Sequence, residues 1–153
     1  MSCGDNMKRQ IATIIKSSNK AYQQYETQIT AAIAAQERVD LTQATVTEAE
    51  RMLKETENEC LLPEYLAGKE GQLNGANETI RSIQAAQLLK ESPWYQTTVE
   101  TLNTVKANFK NAQLANQEAG LRLTAYRHRV ALVTAQLELL SASERVENHG
   151  RQT

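Results

Sequence analysis

Side chains able to carry acid–base, nucleophilic or metal chemistry are few and scattered in this sequence. There are two histidines, His128 and His149, and two cysteines, Cys3 and Cys60. His128 stands between Arg127 and Arg129, a setting that suits an anion better than a metal ion, and His149 falls in a polar C-terminal stretch. No histidine and cysteine are spaced as zinc ligands. Glutamates are plentiful, but a Glu-x-x-His pair, the mark of a di-iron bundle, is absent. Gly68-Lys69-Glu70-Gly71 lacks the GxxxxGK[ST] spacing of a phosphate loop and reads as a plain turn. Asn77-Glu78-Thr79 matches a glycan acceptor and, with no secretory leader in Met1 to Gln10, is taken as a chance match. The expectation is therefore a non-enzymatic protein with no catalytic residue, metal, cofactor or small-molecule substrate.

Two further groups could bind something larger. Lys106, Lys110, Arg122, Arg127 and Arg129 make a modest basic stretch over 106–129. The formal net charge is -1, and nucleic-acid binding would want more charge and more interleaved aromatics, so the stretch reads as a solvated helix face. Nucleic-acid association or regulation through it is the alternative function rather than the expected one. Leu62, Tyr65, Leu66, Trp94 and Tyr95 are candidate partner-binding residues, because Trp and Tyr are favoured at interface hot spots. The competing reading makes the single Trp a local core plug beside the one internal loop.

These residues need elements to hold them, and helix breakers show where those elements end. Pro63, Gly68, Gly71, Gly75 and Pro93 fall in one window, and only Gly4, Gly120 and Gly150 lie outside it. The pattern predicts one all-α domain over 1–153. It comprises a helix over about 6–60, a loop over 61–75, a short helix over about 76–91, a helix over about 93–147, and a disordered tail over about 148–153. Asp5 is the expected cap of the first helix, and Ser92 before Pro93 that of the last. Cys3 and Cys60, at the ends of one helix, would stand ~85 Å apart at about 1.5 Å per residue, too far to bridge. They read as reduced thiols, with an intermolecular bridge through Cys3 as the other option.

The last helix carries a heptad pattern. Tyr95, Leu102, Phe109, Asn116, Leu123, Val130 and Leu137 form one series, and Thr98, Val105, Ala112, Ala119, Tyr126, Val133 and Leu140 the other. The first helix repeats the period through Ile11, Ser18, Tyr25, Ala32, Val39, Val46, Leu53 and Cys60. Its second line is Ile15, Tyr22, Ile29, Gln36, Gln43, Glu50 and Glu57, polar beyond Ile29. The first helix starts basic (Lys8, Arg9, Lys16, Lys20) and ends mostly acidic, and the last has Lys106 and Lys110 early and Glu138, Glu144 and Glu147 late. Opposite charges meet only if the two run antiparallel. The expected fold is a long antiparallel helical hairpin, a coiled coil, with the loop and short helix inserted at its tip. The short helix would use Ile80, Ile83, Leu88 and Leu89 to pack. Gln36 and Asn116 would meet at one level as a register-setting polar layer.

Ile14 and Ile33 widen the apolar stripe of the first helix. Leu114 and Leu121 at heptad position f, and Leu132 and Leu139 at c, lie outside the seam of the last. Such a surface calls for cover by a homo-oligomer, a dimer first. The expected function is a coiled-coil structural, adaptor or assembly component of a larger multiprotein complex. By analogy of its Ala/Gln/Thr/Asn-rich surface, that complex would be a secretion apparatus or a phage or virion-type particle. Its partners would be itself and other proteins, without a membrane span. It would be cytoplasmic as synthesised and then incorporated into a particle or secretion machine.

Overall fold

The computed structural model describes residues 3–67 and 71–150, with side chains for 8–67, 71–143 and 145. It is all-helical: α1 spans Cys3–Leu66, α2 Glu78–Glu91 and α3 Pro93–Gly150, and α1 packs on α3. No strand occurs among the described residues. By contacts the chain gathers into two compact units, one of residues 1–36 and 115–153, the other of residues 37–114.

Several boundaries differ from expectation. α1 already runs at Cys3, so Asp5 stands inside its first turn rather than capping it. At the other end α1 passes Pro63 and stops at Leu66, six residues beyond the expected end at 60. Proline lacks an N–H and breaks one helical hydrogen bond, but its own carbonyl still accepts. Ala67 N donates to Pro63 O at 3.0 Å and closes one final turn. α2 starts at Glu78 because Asn77 is its cap: the Asn77 carboxamide oxygen accepts from Ile80 N at 2.9 Å. The Asn-Glu-Thr triplet thus has a structural use, as a cap followed by an acidic first-turn residue. α3 starts as expected, with Ser92 Oγ accepting from Tyr95 N at 3.3 Å and Pro93 in the first helical position. It stays helical through Gly150, so the tail read as disordered from 148 is helical in its first three residues, and 151–153 lie outside the described residues.

In the first unit, α1 and α3 meet through three side-chain hydrogen bonds. Tyr22 Oη lies 3.1 Å from Thr134 Oγ1, Arg129 Nη1 donates to Gln24 Oε1 at 3.4 Å, and Asn116 Nδ2 donates to Gln36 Oε1 at 2.8 Å. Numbers rise along α1 as they fall along α3. The buried residues here are few and small: Ser18, Ala21 and Val133.

The second unit adds a third helix and a loop to segments of α1 and α3. It buries Val46, Ala49, Thr56, Leu73, Ala85, Leu89, Leu102 and Ala112. The loop is wired by polar groups. Gly75 N donates to Gln84 Oε1 at 3.1 Å, Arg81 Nη1 to Gly75 O at 3.3 Å, and Gln72 N to Glu64 Oε2 at 2.8 Å. Two glycines are required by close approach: a Cβ on Gly71 would sit 2.5 Å from Glu64 O, and one on Gly75 2.5 Å from Ile80 Cγ2. The segment Gly68 to Glu70, read as part of a turn, lies outside the described residues.

Candidate functional site

Each helix turns one line of residues inward, and what it leaves outside defines the surface available to a partner. On α3 every member of both heptad series, from Tyr95 to Leu137 and from Thr98 to Leu140, is buried or half-buried. On α1 the first series is covered throughout, from Ile11 through Ser18 and Val46 to Cys60. The second is not: Ile15, Tyr22, Ile29, Gln36, Gln43 and Glu50 are exposed. Their place is taken by Ile14, Ala21, Gln28, Ala35, Thr42, Ala49 and Thr56, the residues one position earlier. One of the two packed lines of α1 is thus as expected and the other lies one residue earlier. The reason is size: Ala, Ser and Thr let two helices approach closely, and bulky Ile15, Tyr22 and Ile29 are displaced to the flank.

This shift sorts the candidate oligomer residues. Ile14 is half-buried in the packed line of α1, so it is not part of a free face. Ile33 is 56% exposed. On α3, Leu114, Leu121, Leu132 and Leu139 are 54%, 73%, 62% and 71% exposed. Ile15, Tyr22 and Ile29 join the exposed set, missed in the sequence because their size placed them in the seam. Gln36 and Asn116 bond through their carboxamides at 2.8 Å, but Gln36 is exposed, so the pair lies on the flank of the packed face and not in a buried layer.

The partner-binding candidates all lie in the second unit. Cys60 Sγ, 3.5 Å from Ser92 Oγ, sets the last turns of α1 beside the first turn of α3. Leu62, Tyr65, Leu66 and Trp94 are exposed, and Tyr95 is half-buried. Trp94 is therefore no core plug. α2 presents the expected face only in part. Of the expected packing residues Leu89 is buried and Leu88 half-buried, with Ala85, Arg81 and Gln84 on the same face, whereas Ile83 is exposed and Ile80, partly exposed, lies against Gly75. The bonds of Arg81 and Gln84 to the loop hold that orientation.

Electrostatics on this surface are local. Lys106 Nζ pairs with Glu50 at 3.0 Å and Arg122 with Glu118 at 2.6 Å, both well exposed, and Arg129 bonds Gln24. Arg51 bridges Glu48 and Glu55 on one face of α1. The hydrogen bond from Arg51 holds the Glu48 carboxyl below its ordinary range, and the Arg51 guanidinium is held further above its own. Cys60 carries a free thiol, and the side chains of Cys3 and His149 lie outside the described residues. Among the described residues no group of His, Cys, Asp and Glu is placed to hold a metal ion, and no helix is long and apolar enough to cross a membrane. Surface grooves at Arg9, Gln10, Thr13 and Ile14, and at Ala86, Gln87, Lys90 and Glu91, are lined by adjacent turns of single helices. A third groove, between the loop and α2, is lined by Gln72, Gln84, Gln87, Leu88 and Glu91. No protein-family model matches the chain, and neither a curated protein nor a solved structure matches it.

Proposed function

We propose that the protein is a non-enzymatic helical component of a larger protein assembly, acting through helix–helix association with a second copy of itself and with other proteins. In this reading α1 and α3 form an antiparallel coiled-coil hairpin with the loop and α2 at its tip, and the Gln36–Asn116 bond fixes the register. The cross-helix bonds of the first unit, which pair rising positions with falling ones, support that arrangement. The observation that carries the function is the run of large apolar side chains left in water: Leu121, Leu132 and Leu139 on α3, and Ile15, Tyr22, Ile29 and Ile33 on α1. Exposed large apolar side chains in this number support an association surface. The composition of the helix surfaces, rich in Ala, Gln, Thr and Asn, fits subunits that pack into secretion machines or phage particles.

Light scattering on the purified chain at tens of micromolar is expected to report a dimer or larger species. Gradient sedimentation from the native host is expected to place the protein in a large complex. A monomer in the first measurement and a free small species in the second would overturn the proposal. Nucleic-acid association through 106–129 draws less support, since Lys106, Arg122 and Arg129 already have partners within the chain. No salt-sensitive gel shift is expected.

A further inference from the structure

Beyond its two packed lines, α1 carries a third line of heptad spacing. Leu41, Thr45, Glu48, Met52, Glu55, Glu59, Leu62 and Leu66 follow one another in alternating steps of four and three residues. All are exposed, and all belong to the unit of residues 37–114. The line stands about a third of a turn round the helix from Val46, Ala49, Leu53 and Thr56, which are buried or half-buried. It is about 38 Å long at about 1.5 Å per residue. Among the described residues of α1 in this unit, the large apolar side chains left exposed are Leu41, Met52, Leu62, Tyr65 and Leu66. Each is on this line or next to it. The line is acidic as well as apolar. Arg51, beside it, bridges Glu48 and Glu55. No lysine or arginine follows Lys54 in α1, whereas Glu55, Glu57, Glu59 and Glu64 do.

An exposed line with this spacing is shaped to take the side chains of another helix between its own. Its glutamates decide which helix. An uncharged surface laid over Glu55 and Glu59 would strip water from two carboxylates and return nothing. An acidic helix, a nucleic acid or an anionic membrane would be repelled. A helix with Lys or Arg beside its apolar line satisfies both the apolar residues and the carboxylates. We infer that the stripe over 41–66 of α1 is the docking face for a basic amphipathic helix of another protein. Its large apolar residues lie against Leu41, Met52, Leu62 and Leu66, and its cations stand at the levels of Glu55 and Glu59. The inference rests on the helix–helix association with other proteins proposed above, and it adds the surface and the chemical class of the partner. The same glutamates select against neutral and acidic helices, so the stripe carries its own discrimination.

Fluorescence anisotropy on the full chain tests this, with a labelled synthetic helix of about four heptads as the probe, Leu at its a and d positions and Lys at e and g. Repulsion between the lysines keeps the probe from pairing with itself. Binding is expected, weakening as salt rises from about 0.05 to about 0.5 M, and a probe with Glu in place of Lys is expected not to bind. Glu55→Lys/Glu59→Lys should weaken binding about tenfold or more, and Leu62→Gln/Leu66→Gln about fivefold. Glu26→Lys/Glu100→Lys changes the net charge equally at exposed positions off the stripe, and should leave the affinity within about twofold. All of these positions are exposed, and helicity by circular dichroism should be retained. Failure of the Lys probe to bind, equal binding of the Glu probe, or equal losses in the stripe and control variants would overturn the inference. Light scattering on Glu55→Lys/Glu59→Lys adds a further check: loss of self-association there would assign the face to a second copy and overturn it too. Probe failure while the chain sediments in a large complex contradicts the stripe alone. Selective probe binding by a chain that sediments free in its host contradicts the assembly and leaves the stripe standing.

Discussion

The two compact units use stretches of the same two long helices and reach different degrees of burial. In residues 37–114 a loop and a third helix are added, and Leu73, Leu89, Leu102, Val46 and several small residues are buried together. In residues 1–36 and 115–153, the fully buried residues among those described are Ser18, Ala21 and Val133, with Ile11, Tyr25, Leu123, Val130 and Leu137 half-buried. The apolar residues of that first unit are not scarce; Ile15, Tyr22, Ile29, Ile33, Leu121, Leu132 and Leu139 are all present and exposed. The second unit buries more with the help of α2, yet it too leaves large apolar side chains exposed, among them Leu41, Leu66 and Ile83.

The comparison can be broken where the burial differs most. Leu102→Ala, in the better-buried unit, is expected to cost about 2–4 kcal/mol by chemical denaturation, whereas Val133→Ala, with fewer atoms removed from a thinner core, is expected to cost about 1–2 kcal/mol. Equal costs would mean that the two cores are equally built.

Glycines sharpen the contrast with effects of opposite sign. Gly71→Ala is expected to destabilise by about 1–3 kcal/mol, because its Cβ would meet the Glu64 carbonyl, a backbone atom that cannot swing aside. Gly120→Ala in the first unit is expected to stabilise by about 1 kcal/mol, since a Cβ there meets nothing within 4 Å and alanine favours the helix. Thermal melts of both variants check the signs.

The smallest expected effect concerns charge. Arg51→Ala should let the Glu48 carboxyl return to its ordinary range, read by NMR titration. Because Glu48 is held low in the folded chain, its small contribution is present above its unfolded pKa and lost as the pH falls through the depressed folded value. Both groups are exposed, so the melting temperature should barely change.

Much of this architecture was legible in the amino-acid sequence, and the misreadings share a cause. α3 was legible because bulky residues such as Leu102, Phe109, Leu123 and Val130 occupy its packed line. On α1 the first series was read in place and the second one residue late, because hydrophobicity weights Ile15, Tyr22 and Ile29 above Ala21, Ala35 and Ala49. Small residues carry little transfer free energy yet permit the closest helix approach, so the packed line of α1 is quiet in any apolar count. The face of α2 was read correctly at Leu88 and Leu89 but not at Ile83, where hydrogen bonds of Arg81 and Gln84 to the loop, which no periodicity records, favour a polar neighbour on the packed side. Pro63 was taken as a helix stop, although a proline one turn from the end leaves its own carbonyl free to close that turn. The Gln36–Asn116 pair was found from register alone, because two polar residues at matching heptad positions leave few other levels at which to meet.

Hydrogen exchange measured at several protein concentrations tests the central claim most directly, because each unit reports separately. If the first unit is completed by association, amide protection over 8–36 and 115–143 should rise as concentration increases from about one to about one hundred micromolar, while protection over 78–105 stays constant. Protection in the first unit that does not change with concentration would contradict the account.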